Sequence, residues 1–275
     1  MVAIPLASQS DPEKREVVSP ERLINLYPIA ASNPEGARAK FYLNRTPGMA
    51  AFSRIDDICR GLFNAGTEGL GVYGSVLKSI NTSGGLSSKG TISGTRDVRW
   101  SQNLAANPET LIATGTTLYQ YTNGTLSVVS GALSGIDIVD TICINGYSIA
   151  FTEAGVGYYS AVNDANNYNA LNFFTVPGTG AFKAAMIIGN KFVCWRDKSM
   201  YVYSHIADDA DDPFQLERGA DKQFGCLNTF SNADAGGIKC FVDQYGSVRS
   251  IGQGYLPQSI GNDGVQADIA ALVDK

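Results

Sequence analysis

A strand–turn–strand unit recurs about every forty residues along this chain, and that repeat restricts the available folds more than any other feature. Its five copies are Val72-Tyr73-Gly74-Ser75-Val76-Leu77, Ile112–Tyr119, Ala150–Tyr159, Val193–Tyr203 and Cys240–Val248. With Gly74, Gly115, Gly155, Asp197 and Gly246 as turn markers, the spacings are 41, 40, 42 and 49 residues. Short runs rich in Val, Ile, Tyr, Phe and Thr fill the intervals, bounded by Gly, Asn, Asp and Ser, which is strand composition. Asn123-Gly124, Asn145-Gly146 and Gly189-Asn190 each sit between two such runs, where a two-residue hairpin turn is expected. Together these signals predict about four strands per period. The expected fold is all-β: a β-propeller-like domain of five to six blades of short antiparallel strands. Residues near 84–100 or 220–235, or an arm from a neighbour, are the candidates for a sixth blade.

The repeat occupies residues 51–260, and the flanks differ from it. Residues 1–50 hold six of the ten prolines (Pro5, Pro12, Pro20, Pro28, Pro34 and Pro47). Proline fixes φ and removes a ladder donor, so this segment reads as an extended arm with turns. Its apolar islands contain Leu23, Leu26, Tyr27, Tyr42 and Leu43, the residues expected to dock on a neighbouring subunit. In residues 261–275, Val265, Ile269, Leu272 and Val273 have helical spacing after Asp263, which predicts a short C-terminal helix.

Charge and cysteine usage narrow the function. The net charge is −5, and residues 61–275 carry thirteen basic against nineteen acidic side chains. A protein that grips DNA tightly needs a basic stripe to neutralise phosphates, and none is present. No apolar run reaches the ~18–20 residues of a membrane span. The N-terminus lacks the basic start and apolar core of a secretory signal, so cytoplasmic synthesis and folding are expected. Cys59, Cys143, Cys194, Cys226 and Cys240 are scattered without metal-ligand spacing and read as free thiols among apolar neighbours.

No catalytic, cofactor or metal constellation emerges. His205 is the only histidine and reads as an ordinary surface or satisfied side chain. The acidic run Asp208, Asp209, Asp211 and Asp212 lacks the glycine and distal glutamate of a calcium loop. It reads as a solvated loop facing a channel or a fibre. Asp56-Asp57 is expected to cap the first strand or pair with Arg54 or Arg60. Tyr119, Tyr121, Tyr158, Tyr159, Tyr201 and Tyr203 recur at matching strand positions and are expected to pack between blades. Glycosidase chemistry needs two carboxylates across a sugar, and neither Trp100 nor Trp195 stands in the Asp-box context of sugar-cleaving propellers.

The order of motifs carries a resemblance. Asn25-Leu26-Tyr27-Pro28 precedes Tyr42–Met49 with its Thr46-Pro47-Gly48 turn, then Arg60-Gly61-Leu62-Phe63 and Val72–Lys78. Phe192-Val193-Cys194-Trp195, Met200-Tyr201-Val202-Tyr203 and Gly246-Ser247-Val248 followed by Gly252-Gln253-Gly254 complete the series. Over residues 22–272 this resembles the packaged-DNA stabilisation proteins of short-tailed bacteriophages, also called tail accessory factors, hub or nozzle proteins. The resemblance implies a non-enzymatic structural protein of the virion tail, assembled in the host cytoplasm and needing no cofactor. It implies a homo-oligomeric ring, a hexamer, beneath the portal and adaptor proteins. The ring would retain packaged double-stranded DNA, pass it without tight binding, and bear tail fibre, tailspike or needle proteins. The rival reading is a carbohydrate-binding or glycan-processing propeller used in receptor recognition.

Overall fold

The computed structural model describes residues 55, 57–207, 212–219, 221–235 and 238–260, and residues 26–30 and 41–45 by backbone alone. The chain divides into two compact units, residues 52–260 and residues 1–51 with 261–275. In the second, β1 (Leu26–Ala30) and β2 (Phe41–Arg45) form an antiparallel ribbon in which Pro28 lies opposite Leu43 and Ile29 opposite Tyr42. The predicted C-terminal helix lies outside the described residues.

Residues 52–260 form a five-bladed β-propeller, each blade a four-stranded antiparallel sheet in sequential order. Blade 1 is β3 (Cys59–Asn64), β4 (Gly69–Tyr73), β5 (Val76–Ile80) and β6 (Leu86–Thr91). Blade 2 is β7 (Arg99–Gln102), β8 (Thr110–Ala113), β9 (Leu118–Thr122) and β10 (Thr125–Val128). Blade 3 is β11 (Asp140–Ile144), β12 (Tyr147–Phe151), β13 (Val156–Ala161) and β14 (Asp164–Thr175). Blade 4 is β15 (Phe182–Ile188), β16 (Lys191–Arg196), β17 (Met200–His205) and β18 (Phe214–Leu216). Blade 5 is β19 (Asn232–Ala235), β20 (Ile238–Val242), β21 (Val248–Ile251) and β22 (Gln258–Ser259). Residues 84–100 contribute to blades 1 and 2, and residues 220–235 lead into blade 5 and supply its first strand. The one helical element among the described residues is a 3-10 turn, Gly131–Leu133, and no described helix is long and apolar enough to cross a membrane.

Each sequence repeat is the central hairpin of a blade. In blades 2, 3 and 4 the middle strands are covered on both sides, so buried residues stand at consecutive positions in β8, β12 and β16. In β8, Leu111 and Ala113 pack towards blade 3 while Ile112 packs towards blade 2's other neighbour, blade 1. Alternate side chains of one strand thus enter two different cores. Four such cores join blades 1 and 2, 2 and 3, 3 and 4, and 4 and 5. The third is the most aromatic: Phe151 stacks on Phe182 at 4.6 Å between centroids and Phe192 on Tyr203 at 5.2 Å. Each fully buried side chain of this size contributes about 1.5–3 kcal/mol. All six tyrosines expected between blades pack there, with Tyr203 only 2% exposed.

The expected hairpin turns are present. Asn123 and Gly124 join β9 to β10 with φ of 48° and 79°, and Asn145 and Gly146 join β11 to β12 with φ of 52° and 85°. Both positions of each turn are left-handed, the backbone that Asn-Gly supplies with least strain.

Candidate functional site

The first strands of blades 2, 3 and 5 each open on a polar residue: Arg99, Asp140 and Asn232. Strand placement brings these three together. Arg99 Nε donates to Asp140 Oδ1 at 2.9 Å, and its Nη2 donates to Asn232 Oδ1 at 3.1 Å. Asp140 Oδ2 accepts the backbone N–H of Ala185 on β15 at 2.7 Å. One guanidinium and one carboxylate therefore tie blades 2, 3, 4 and 5. The Asp140 side chain is fully buried, and every oxygen is satisfied, as a buried charge requires. The Arg99 guanidinium carbon also lies 5.8 Å from the Phe230 ring centroid. Beside the pair, the Ser101 and Thr141 hydroxyls are hydrogen-bonded at 2.9 Å.

A depression of about 250 Å³ lies where the inter-blade connectors converge, lined by Arg96, Asp97, Glu153, Lys183, Asn228 and Phe230, among others. Its rim mixes both signs of charge. Lys183 Nζ bonds Asp197 Oδ1 at 2.8 Å, and Asp197 Oδ2 accepts the Ala181 N–H at 2.7 Å. Burial opposes the Asp197 charge, but the Lys183 ammonium and the Ala181 amide outweigh it and hold the carboxyl below its ordinary range. Such a rim suits polar contacts. Among the described residues, no group of three or more His, Cys, Asp or Glu side chains is placed to hold a metal ion.

Two buried arginines lock connectors elsewhere. Arg60 donates to the carbonyls of Gly74, Ser93 and Arg96, and Arg196 to those of Ala154, Val176 and Gly180. In both cases a guanidinium satisfies a β-turn and the link between two blades. Desolvation lowers the Arg60 pKa, with the Asp97 carboxylate acting in the opposite direction. Arg60 thus donates to backbone carbonyls, and Asp57 Oδ1 accepts the Ile58 N–H at 2.8 Å.

A larger and more apolar hollow, about 510 Å³, lies along blade 1 and is lined by Leu62, Phe63, Leu70 and Ile80 with Asn64 and Asn81. Phe63 is held there by stacking on Trp100 at 5.6 Å.

None of the residues singled out from sequence is a hydrogen-bond partner in the Arg99–Asp140–Asn232 network. Leu26 and Tyr27 are on β1, Tyr42 and Leu43 on β2. Leu23, Asp208, Asp209 and Asp211 fall outside the described residues, and Asp212 is exposed just before β18. His205 pairs with Phe214 across β17 and β18 and lies 5.6 Å from the Tyr147 ring. The cysteines are free; Cys194 and Cys226 are buried, and Cys59 is exposed. Arg99, Asp140 and Asn232 went unremarked in sequence. Their one shared trait is a polar residue opening the first strand of blades 2, 3 and 5.

No family profile matches the chain. No curated protein matches it by sequence either. Solved structures match it as a fold. Virginiamycin B lyase from Staphylococcus aureus is 8% identical, with a TM-score of 0.53 over 76% of this chain and 72% of the lyase. The Neurospora crassa Pan2 WD40 domain is 10% identical (TM-score 0.49, 71% of this chain, 61% of that one). PorZ, an essential surface component of the type-IX secretion system of Porphyromonas gingivalis, is 13% identical (TM-score 0.47, 74% of this chain). The present chain spans 28% of PorZ's length. At 8% identity, what the match to the lyase shows is the fold alone.

Proposed function

We propose that this chain is a structural subunit of a short-tailed phage tail, a hub or nozzle protein that assembles into a six-membered ring below the portal and its adaptor. In this reading the ring retains packaged DNA, forms its exit channel and carries fibres, spikes or a needle. The chain performs no reaction, and its work lies in contacts with other chains.

The observation that carries the reading is the order of motifs from Asn25 to Gly254, and the closed axis bears on where a channel would run. Arg99 reaches Asn232 at 3.1 Å through the middle of the propeller. No duplex passes such a centre, since the major groove of B-DNA alone is ~12 Å wide. In the proposed assembly the conduit for DNA lies between copies, where a ring of propellers provides one. The net charge of −5 suits a lumen that DNA slides past without sticking.

The test is interruption of the gene in the phage that encodes it, followed by electron microscopy of the particles. The expected result is heads that package DNA, then lose it, and carry no tail. Particles that keep their DNA and their tails without this chain overturn the reading.

A further inference from the structure

Phe230 holds a large apolar ring in the axial depression and is 43% exposed there. The turn that carries it is fixed by hydrogen bonds. Asn228 Oδ1 accepts the Phe230 N–H at 2.9 Å, Ser231 Oγ accepts the Asn228 N–H at 2.9 Å, and Asn232 Nδ2 donates to the Thr229 carbonyl at 2.8 Å. The Arg99 guanidinium lies against the ring. Held this way, the ring is a preorganised apolar platform. Three charged side chains share the depression with it. Arg96, Asp97 and Glu153 are exposed, and among the described residues their side chains make no hydrogen bond or ion pair. Arg96 lies along Gly115, where an added Cβ would stand 3.4 Å from its Cδ. Lys183, the other cation of the rim, is already paired with Asp197. The depression is also blind. Arg99, Asp140 and Asn232 follow the lining residues Asp97, Val139 and Phe230 along the chain, and their hydrogen bonds close the axis.

We propose that this cup is a binding site for a neutral pyranose sugar, the terminal residue of a glycan chain. The inference stands on the propeller alone and is independent of the ring reading. Size sets the first limit. At about 250 Å³ the cup lies below the ~300–1,000 Å³ of pockets for drug-sized ligands, and a single sugar ring is the scale that fits. Charge sets the second. An anion entering the cup meets Asp97 and Glu153, and a cation meets Arg96, so a ligand of either sign is repelled by part of the rim. A wholly apolar ligand strips water from these charges and returns no hydrogen bond. A hydroxyl group both donates and accepts. Sugar hydroxyls can therefore donate to the Asp97 and Glu153 carboxylates and accept from the Arg96 guanidinium, whose forked donors suit two neighbouring oxygens. The C–H face of the same sugar ring packs on Phe230, whose π face is negative.

The test is saturation-transfer NMR on the full-length protein. The neutral probes are glucose, galactose, mannose and N-acetylglucosamine, and the charged ones are N-acetylneuraminic acid and free arginine. The expected result is transfer to a neutral sugar, with Phe230→Ala and Glu153→Gln each weakening that binding about tenfold. Glu153→Gln keeps the shape of an exposed side chain, so it reports on the site even where Phe230→Ala disturbs its turn, and circular dichroism checks both folds. No transfer to any of the neutral sugars overturns the proposal. So does transfer that survives both substitutions, or transfer to N-acetylneuraminic acid or arginine alone. None of these outcomes bears on the ring reading, which interruption of the gene tests separately.

Discussion

Single side chains hold the connectors of this propeller. Arg196 is 4% exposed and gives its guanidinium to backbone carbonyls on both sides of the junction between blades 3 and 4. Arg196→Met leaves those carbonyls buried and unpaired, and is expected to cost about 3 kcal/mol, lowering the melting temperature by roughly 6–12 °C. Gly155 makes the same point from the other side. Its φ is +84°, and a Cβ there would stand 2.1 Å from Arg196 Nη2. Gly155→Ala therefore combines backbone strain with displacement of the clamp, and calorimetry should show a loss of about 2–4 kcal/mol. Asp197 gives a pH-dependent contribution. Its folded pKa lies below its ordinary value of 3.8, so its stabilisation is complete above that value and fades as pH falls through the lowered one. The carboxylate is 37% exposed, which limits the effect to ~0.5 kcal/mol after solvent screening. Urea melts should separate wild type from Asp197→Asn at neutral pH and converge in acid.

At the level of the element, the hairpin turns carry local information and the sheet faces carry the rest. Asn123 has φ of 48°, so Asn123→Ala is expected to cost about 1 kcal/mol in thermal melts, while Asn123→Gly stays close to wild type. This locality explains what was readable in the sequence. The central hairpins of all five blades have apolar strands and turn at Gly or, in blade 4, at Asp197, so they stand out as text. The outer and inner strands do not. β6 (Leu-Ser-Ser-Lys-Gly-Thr) has no apolar alternation and β19 (Asn-Ala-Asp-Ala) alternates nothing larger than Ala, so their pairing rests on backbone ladders that composition does not encode. The axial site was hidden for a different reason. Arg99 meets Asp140 and Asn232 across 41 and 133 positions, a proximity created by the turn of the blades about their axis. The Pro-rich arm read as extended chain, yet it contains a paired ribbon, because Pro28 is tolerated at a strand edge.

For the molecule as a whole, the blades form a series in which each core joins sequence neighbours, as in repeat proteins. Arg99 adds the link that skips along this series. Asp140→Asn removes the charge that balances Arg99 and is expected to destabilise the fold by about 3–5 kcal/mol. Asn232→Ala is milder at about 1 kcal/mol, but it should broaden the unfolding transition as blade 5 begins to melt by itself, which calorimetry would register as separate peaks. The same link imposes a schedule on synthesis. Each blade completes its ladders within its own stretch of chain, so blades can settle one after another as they leave the ribosome. The Arg99 guanidinium has to wait 133 residues for its last acceptor, and Asp140 is there to hold it after 41. Stalled nascent chains that expose blades 1 to 3 should therefore already resist protease, whereas the same chains carrying Asp140→Asn should be cut in blade 2.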